Sequence, residues 1–182
     1  MRSFYQYKCT QLVLDTGGSG LGIFDFIIKD QYDPDYGVTY SGLSCCNNAE
    51  MAERCKIKGA HRVIWAIKAN ADFNSRTATS LRAAFQNGKI NLLINEYECE
   101  DEIKKIRGYS KMTSTEQAWL KIPYLQTSFM INELVNLEYS ITGNQIKIKE
   151  KSGMRKDRYS SLQYMQYVVQ QLGLNLKPSV ST

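Results

Sequence analysis

The chain has 182 residues, of which 43% are hydrophobic and 23% charged, with 23 Lys and Arg against 18 Asp and Glu. That balance excludes a wholly disordered, collagen-like or fibrous chain, and three prolines exclude a Pro-rich linker. The chain length suits one ordinary domain, and no apolar run approaches the roughly 20 residues needed to cross a bilayer. The first residues, Met1-Arg2-Ser3-Phe4-Tyr5-Gln6-Tyr7-Lys8, lack the apolar core of a signal peptide, so a protein that stays where it is made is expected. Cys9, Cys45, Cys46, Cys55 and Cys99 then read as reduced thiols, since an odd count without CxxC suits neither a disulfide framework nor a structural zinc site. His61 is the single histidine, which removes most histidine-dependent chemistry.

In chain order, Thr10-Gln11-Leu12-Val13-Leu14-Asp15 reads as a strand ending in a carboxylate, followed by the glycine burst Gly17, Gly18, Gly20, Gly22. Ile23, Phe24, Phe26, Ile27 and Ile28, interrupted by Asp25, then have helical spacing, giving strand, tight turn, helix. Residues 31–37, with Asp33-Pro34-Asp35, read as a loop, and 48–57 as an amphipathic helix. Residues 62–68, nearly all apolar between charged ends, predict a central strand buried on both faces. A helix is expected from Asn74-Ser75 to about Asn87, stopped by Gly88, with Ala78, Leu81, Ala84 and Phe85 on one face. A short apolar run follows at 90–94. Helices are then expected near 98–107 and over 115–137, the second bent at Pro123. Residues 138–141 and 145–148 flank Thr142-Gly143-Asn144 as a hairpin with Ile146 and Ile148 inward. The last helix should run from Asp157 or Arg158 to Leu172, stop at Gly173, and leave 173–182 as a tail. Strands and helices interleave, so the class is α/β.

The glycine cluster supports neither familiar phosphate cradle. Ile23-Phe24 stands where a P-loop needs Lys and Ser or Thr, and a dinucleotide fingerprint would require glycine at position 23. What remains is Asp15 at a strand tip, where α/β sheets form sites, although a carboxylate there equally well accepts a turn N–H. Asp25 breaks an apolar face and equally suits a solvent-facing position.

Charge is unevenly spread. Residues 96–102 carry five acids and no base, whereas 147–158 carry six bases against Glu150 and Asp157. Clustered positive charge is the footprint of a polyanion partner, and it is also what an ordinary solvated turn looks like. Within that cluster Asp157 can cap a helix. It can also bind a hard cation such as Mg²⁺, with Lys149, Lys151, Arg155, Lys156 and Arg158 holding phosphates. Tyr159, Tyr164 and Tyr167 follow at helical spacing, which suits packing better than base stacking.

The two blocks, Leu12 through Asp25 with its glycines and Lys147 through Leu162, with residues 63–69 and Asn74-Ser75 between them, resemble the C-terminal nuclease domain of the large terminase subunit of tailed bacteriophages. The resemblance covers roughly residues 8–172 and rests on the order of the motifs. It implies a ribonuclease H-like mixed sheet flanked by helices, incomplete at its N-terminal side, as a single partial domain over 1–172. It implies Mg²⁺- or Mn²⁺-dependent cleavage of concatemeric viral DNA in the cytoplasm of a bacterial host. Asp15 and Asp157 match two of the family's three acidic positions, and Asp25 belongs to the same glycine-rich block as a further candidate metal ligand. Asp15 stands at the second of those positions and Asp157 at the third; the first carboxylate of the pattern belongs on a strand ahead of Asp15, and the packaging ATPase has no counterpart here. Little or no cleavage by this chain alone is therefore expected. The implied partners are double-stranded DNA, the portal protein, the small terminase subunit and a chain carrying the ATPase, with no membrane. The alternatives are a non-catalytic DNA- or protein-binding module, in which the carboxylates only cap turns, or another ribonuclease H-like nuclease.

Overall fold

A computed structural model describes residues 1–175. Among these the architecture is mixed α/β, and the chain divides into two compact units. One comprises residues 1–73 with the described residues from Val168 onward; the other comprises residues 74–167.

In the first unit, α1 (Arg2–Gln6) leads to β1 (Leu12–Asp15), a glycine turn and α2 (Gly20–Ile27). A small hairpin follows, β2 (Gln31–Asp33) with β3 (Val38–Tyr40), and then β4 (Ser44–Cys45), α3 (Ala49–Glu53) and β5 (Arg62–Ile67). β5 is the central strand, as its apolar run predicts. β1 lies parallel on one side with Leu12 beside Ile64 and Asp15 beside Ile67, and β4 lies parallel on the other. From Val63 to Ile67 every residue of β5 is at least partly buried, because a strand with parallel neighbours on both edges has both faces covered. Phe24, Ile28, Leu43, Cys45 and Ile64 form the buried cluster, and the apolar face of α2 closes it.

Two expectations change in this unit. Residues 31–37 do not form a plain loop. Gln31 pairs with Tyr40 and Asp33 with Val38, because the intervening 34–37 supplies a turn with Gly37 at φ +62°. The predicted helix over 48–57 contracts to the five residues of α3, capped by Asn48, whose Oδ1 accepts the Met51 N–H at 3.0 Å. Tyr5 and Arg2 dock α1 on the β2–β3 hairpin, while Phe4 packs against the buried cluster. Tyr5 stacks on Tyr40 at 5.0 Å, and Arg2 lies over the Tyr36 ring at 4.7 Å while bonding Asp33 and Asp35.

Helix α4 (Ala71–Gln86) begins three residues before the second unit, since Asn70 Oδ1 accepts the Phe73 N–H and so starts the helix earlier than Asn74. α5 (Cys99–Lys104) is shorter than the expected 98–107, and residues 90–94 form no strand. A 3-10 turn at Tyr109–Lys111 precedes α6 (Ser114–Val135), whose start is fixed by reciprocal bonds between Thr113 and Glu116. Pro123 sits inside α6. β6 (Leu137–Thr142) and β7 (Gln145–Glu150) pair antiparallel through the two-residue loop 143–144, with Gly143 at φ +59°. Ile146 and Ile148 are half-buried between exposed neighbours, as the alternation predicts. α7 (Asp157–Asn175) does not stop at Gly173: the helix continues through that residue. The rest of the expected tail, 176–182, lies outside the described residues.

Candidate nucleic-acid interface

Asp15 closes β1 at the carboxyl edge of the parallel sheet. Its Oδ1 accepts the Gly17 N–H at 2.9 Å, so the carboxylate shapes the turn that leads into α2. The glycine at 20 is required there, because a Cβ would stand 1.7 Å from the Asp15 carbonyl oxygen. The first turn of α2 can approach the end of β1 only without a side chain at that position.

Asp25 has a different occupation. Both of its oxygens are engaged by the Arg54 guanidinium at 2.6–2.9 Å, which ties α2 to the end of α3. That pairing raises the Arg54 pKa above its ordinary value. His61 is exposed, and all five cysteines are free thiols, with Cys45 and Cys99 buried.

Asp157 is the exposed first residue of α7, and it is not the residue that caps the helix. Glu133, 6% exposed on α6, does so: its Oε2 accepts the Tyr159 N–H at 2.9 Å while Oε1 accepts Arg158 Nη1 at 2.9 Å. A buried carboxylate at a helix start is stabilised by the unsatisfied N–H groups and by the adjacent cation. Arg158 also donates to Gln126 and lies over the Phe129 ring, so its guanidinium is spent inside the unit. Tyr159 is buried, which pushes its hydroxyl pKa up to about 12. It is a packing residue, as its spacing suggests.

Lys156 is likewise engaged. It pairs with Glu150 at 3.0 Å and donates to the Ile148 carbonyl at 3.1 Å. Glu150 is held below the usual carboxylate range, first by its own backbone N–H and then by Lys156. The cations predicted to hold phosphate therefore divide in two. Lys156 and Arg158 brace the fold; Lys149, Lys151 and Arg155 are exposed, joined by Lys147. The pairing register puts Lys147 opposite Ser140 and Lys149 opposite Glu138, all on one face of the ribbon. The other face carries Tyr139, Ile141, Ile146 and Ile148. An open depression runs along Lys147, Lys149, Lys151, Gly153 and Lys156.

The acidic stretch 96–102 is an ion-paired helix surface. Glu100 meets Lys121 and Lys104, and Glu102 meets Lys105. Among the described residues no three His, Cys, Asp or Glu side chains gather as a metal-holding group. Asp15 and Asp157 belong to different units. No helix among the described residues is long and apolar enough to cross a membrane. Comparison with protein-family models, curated proteins and solved structures finds no match.

Two side chains that position this surface were invisible in the sequence. Glu133 sits in an otherwise unremarkable stretch of α6, and Ser75, whose Oγ accepts the Ile146 N–H at 2.8 Å, lies 71 residues from its partner. Neither has a local spacing signature, because each acts through a partner distant along the chain.

Proposed function

We propose that this chain contacts double-stranded DNA through the β6–β7 ribbon and the turn after it, as the DNA-holding part of the nuclease region of a phage packaging terminase. The observation that carries the reading is the exposed cation row Lys147, Lys149, Lys151 and Arg155, beside which Glu150 is already neutralised by Lys156. Four cations that each displace a condensed counterion give salt-dependent binding, with a slope of log K against log salt near about −3 to −4. The ribonuclease H-like fold and the partners named with the resemblance belong to this proposal as well. Its support is the parallel β1–β5 pair with a carboxylate at its edge.

The carboxylates at hand do not fit a complete two-ion Mg²⁺ or Mn²⁺ centre. Asp25 is committed to Arg54, Asp15 bonds its own turn, and no three donors gather among the described residues. No cleavage step is therefore derived through a metal, and the chain by itself is proposed to bind without cutting. Cleavage stands as a second reading because Asp15 lies at the carboxyl edge of the parallel sheet, in a turn that admits only glycine at position 20.

Fluorescence anisotropy on a labelled duplex at several salt concentrations tests the first reading. The chain should bind with the slope above, and joint replacement of Lys147 and Lys149 by Ala should remove about half of it. Absent or salt-independent binding overturns the proposal. In the same preparation, supercoiled plasmid should stay intact with Mg²⁺ or Mn²⁺. Nicking that disappears in Asp15→Asn would establish the second reading in place of a silent binder.

A further inference from the structure

The outer edge of β6 is an open hydrogen-bonding row. Two side-chain contacts on β7 show which ladder groups face inward. Ile146 N donates to Ser75 Oγ, and Ile148 O accepts from Lys156 Nζ, so both groups on β7 point away from β6. In an antiparallel ladder bonded and non-bonded pairs alternate. The pairs Ile141–Ile146 and Tyr139–Ile148 are therefore the non-bonded ones, and the N–H and C=O of Tyr139 and Ile141 face outward along β6. No strand among the described residues pairs with that edge.

The side chains at those positions are apolar and exposed, Tyr139 at 70% and Ile141 at 67%. β6 has none of the usual guards of a free edge: it lacks Lys and Pro, and its one charge, Glu138, is on the opposite face. We infer that β6 pairs antiparallel with β6 of a second copy of this chain, making a four-stranded sheet in the order β7-β6-β6-β7 about a two-fold axis. The occupant is a second copy because the strand is complementary to itself. With the axis at Ser140, Tyr139 falls opposite Ile141 of the second copy and Ile141 opposite its Tyr139, an aromatic against a β-branched side chain twice over. Glu138 then faces Thr142, so no like charges meet. The outward N–H and C=O groups of both strands coincide in this register, giving about four new backbone bonds.

The two β7 strands end up about 14 Å apart, beyond the roughly 8 Å over which physiological salt leaves charges unscreened. Lys147 and Lys149 of both copies therefore share one face without preventing association. A two-fold interface uses both free edges at once and stops at the dimer. The inference goes beyond the DNA-binding reading and does not depend on it.

Sedimentation equilibrium of the full chain across the micromolar range, without DNA, tests it. A monomer–dimer equilibrium is expected. Ile141→Pro deletes an N–H that β7 does not use, so it should keep the circular dichroism spectrum while weakening the dimer at least about tenfold. Ile141→Lys, which keeps the backbone N–H and sets a charge against Tyr139, should weaken it similarly. A monomer at every concentration, assembly past the dimer, or a folded variant that dimerises like the parent would overturn the inference.

Discussion

Each of the two units buries apolar side chains, Leu81, Cys99 and Ile103 in the second, and the second adds buried polar side chains bonded to partners distant along the chain. In the first, a parallel sheet and α2 bury Phe24, Leu43, Cys45 and Ile64 almost completely. In the second, the 22-residue α6 buries a single side chain, and that one is Glu133. Trp119, Phe129 and Val135 on the same helix remain exposed. Long-range polar bonds fix its neighbours: Glu133 to Arg158 and Tyr159, Ser75 to Ile146, and Gln163 to Asn74 and Thr77. Apolar burial is non-directional and tolerates repacking, whereas each polar tie depends on one partner and leaves an orphan when that partner is lost. The β1–α2 turn of the first unit should therefore fail where space is taken away, and the α6–α7 contact of the second where a bond is removed.

The largest effect is expected at Gly20. An alanine Cβ would overlap the Asp15 carbonyl, so α2 must move off the end of β1 and take Phe24 with it. Gly20→Ala should destabilise the first unit by about 3 kcal/mol or more, read as a shifted denaturation midpoint. A midpoint within error of the parent would break the claim that close approach, not side-chain packing alone, sets this turn.

A smaller loss is expected at Glu133. Glu133→Ala frees Arg158 and leaves the Tyr159 N–H buried, at a cost of about 1–3 kcal/mol. Hydrogen exchange should show the loosening at the start of α7 while β1 and β5 stay protected. Equal loosening in both units would erase the distinction drawn between them.

The smallest effect concerns pH. Arg2 holds the Asp33 carboxyl below its ordinary value of 3.8, so ionised Asp33 is favoured in the folded state. A depressed folded pKa contributes stability above the unfolded value and loses it as pH falls through the folded one. The docking of α1 on the β2–β3 hairpin should therefore be constant near neutrality and weaken only below about pH 4. Arg2→Ala should abolish that acid-side dependence, monitored by the near-ultraviolet signal of stacked Tyr5 and Tyr40. A parent protein whose aromatic signal is unchanged by acid would sharpen the comparison by assigning α1 to stacking alone.

Much of the local structure was legible because it is written in neighbouring residues. The β1–glycine–α2 unit, the central β5 and the β6–β7 hairpin follow from apolar period and turn chemistry. The ends of α3, α5 and α7 differ from the sequence expectation because periodicity continues past the point where packing stops supporting a helix, or falls short of it. The β2–β3 pair hid within a Pro- and Asp-bearing segment whose strands are three residues each.

At the candidate site the sequence determined which residues carry charge and in what order, since composition and spacing are fixed along the chain. Only the tertiary structure decided how those charges are used. Glu133 comes from α6 to claim Arg158, Glu150 pairs with Lys156 within the basic segment itself, Arg54 claims Asp25, and Lys147, Lys149, Lys151 and Arg155 are left facing solvent. An ion pair is a matter of a few ångströms in space, and separation along the chain says nothing about which carboxylate will arrive.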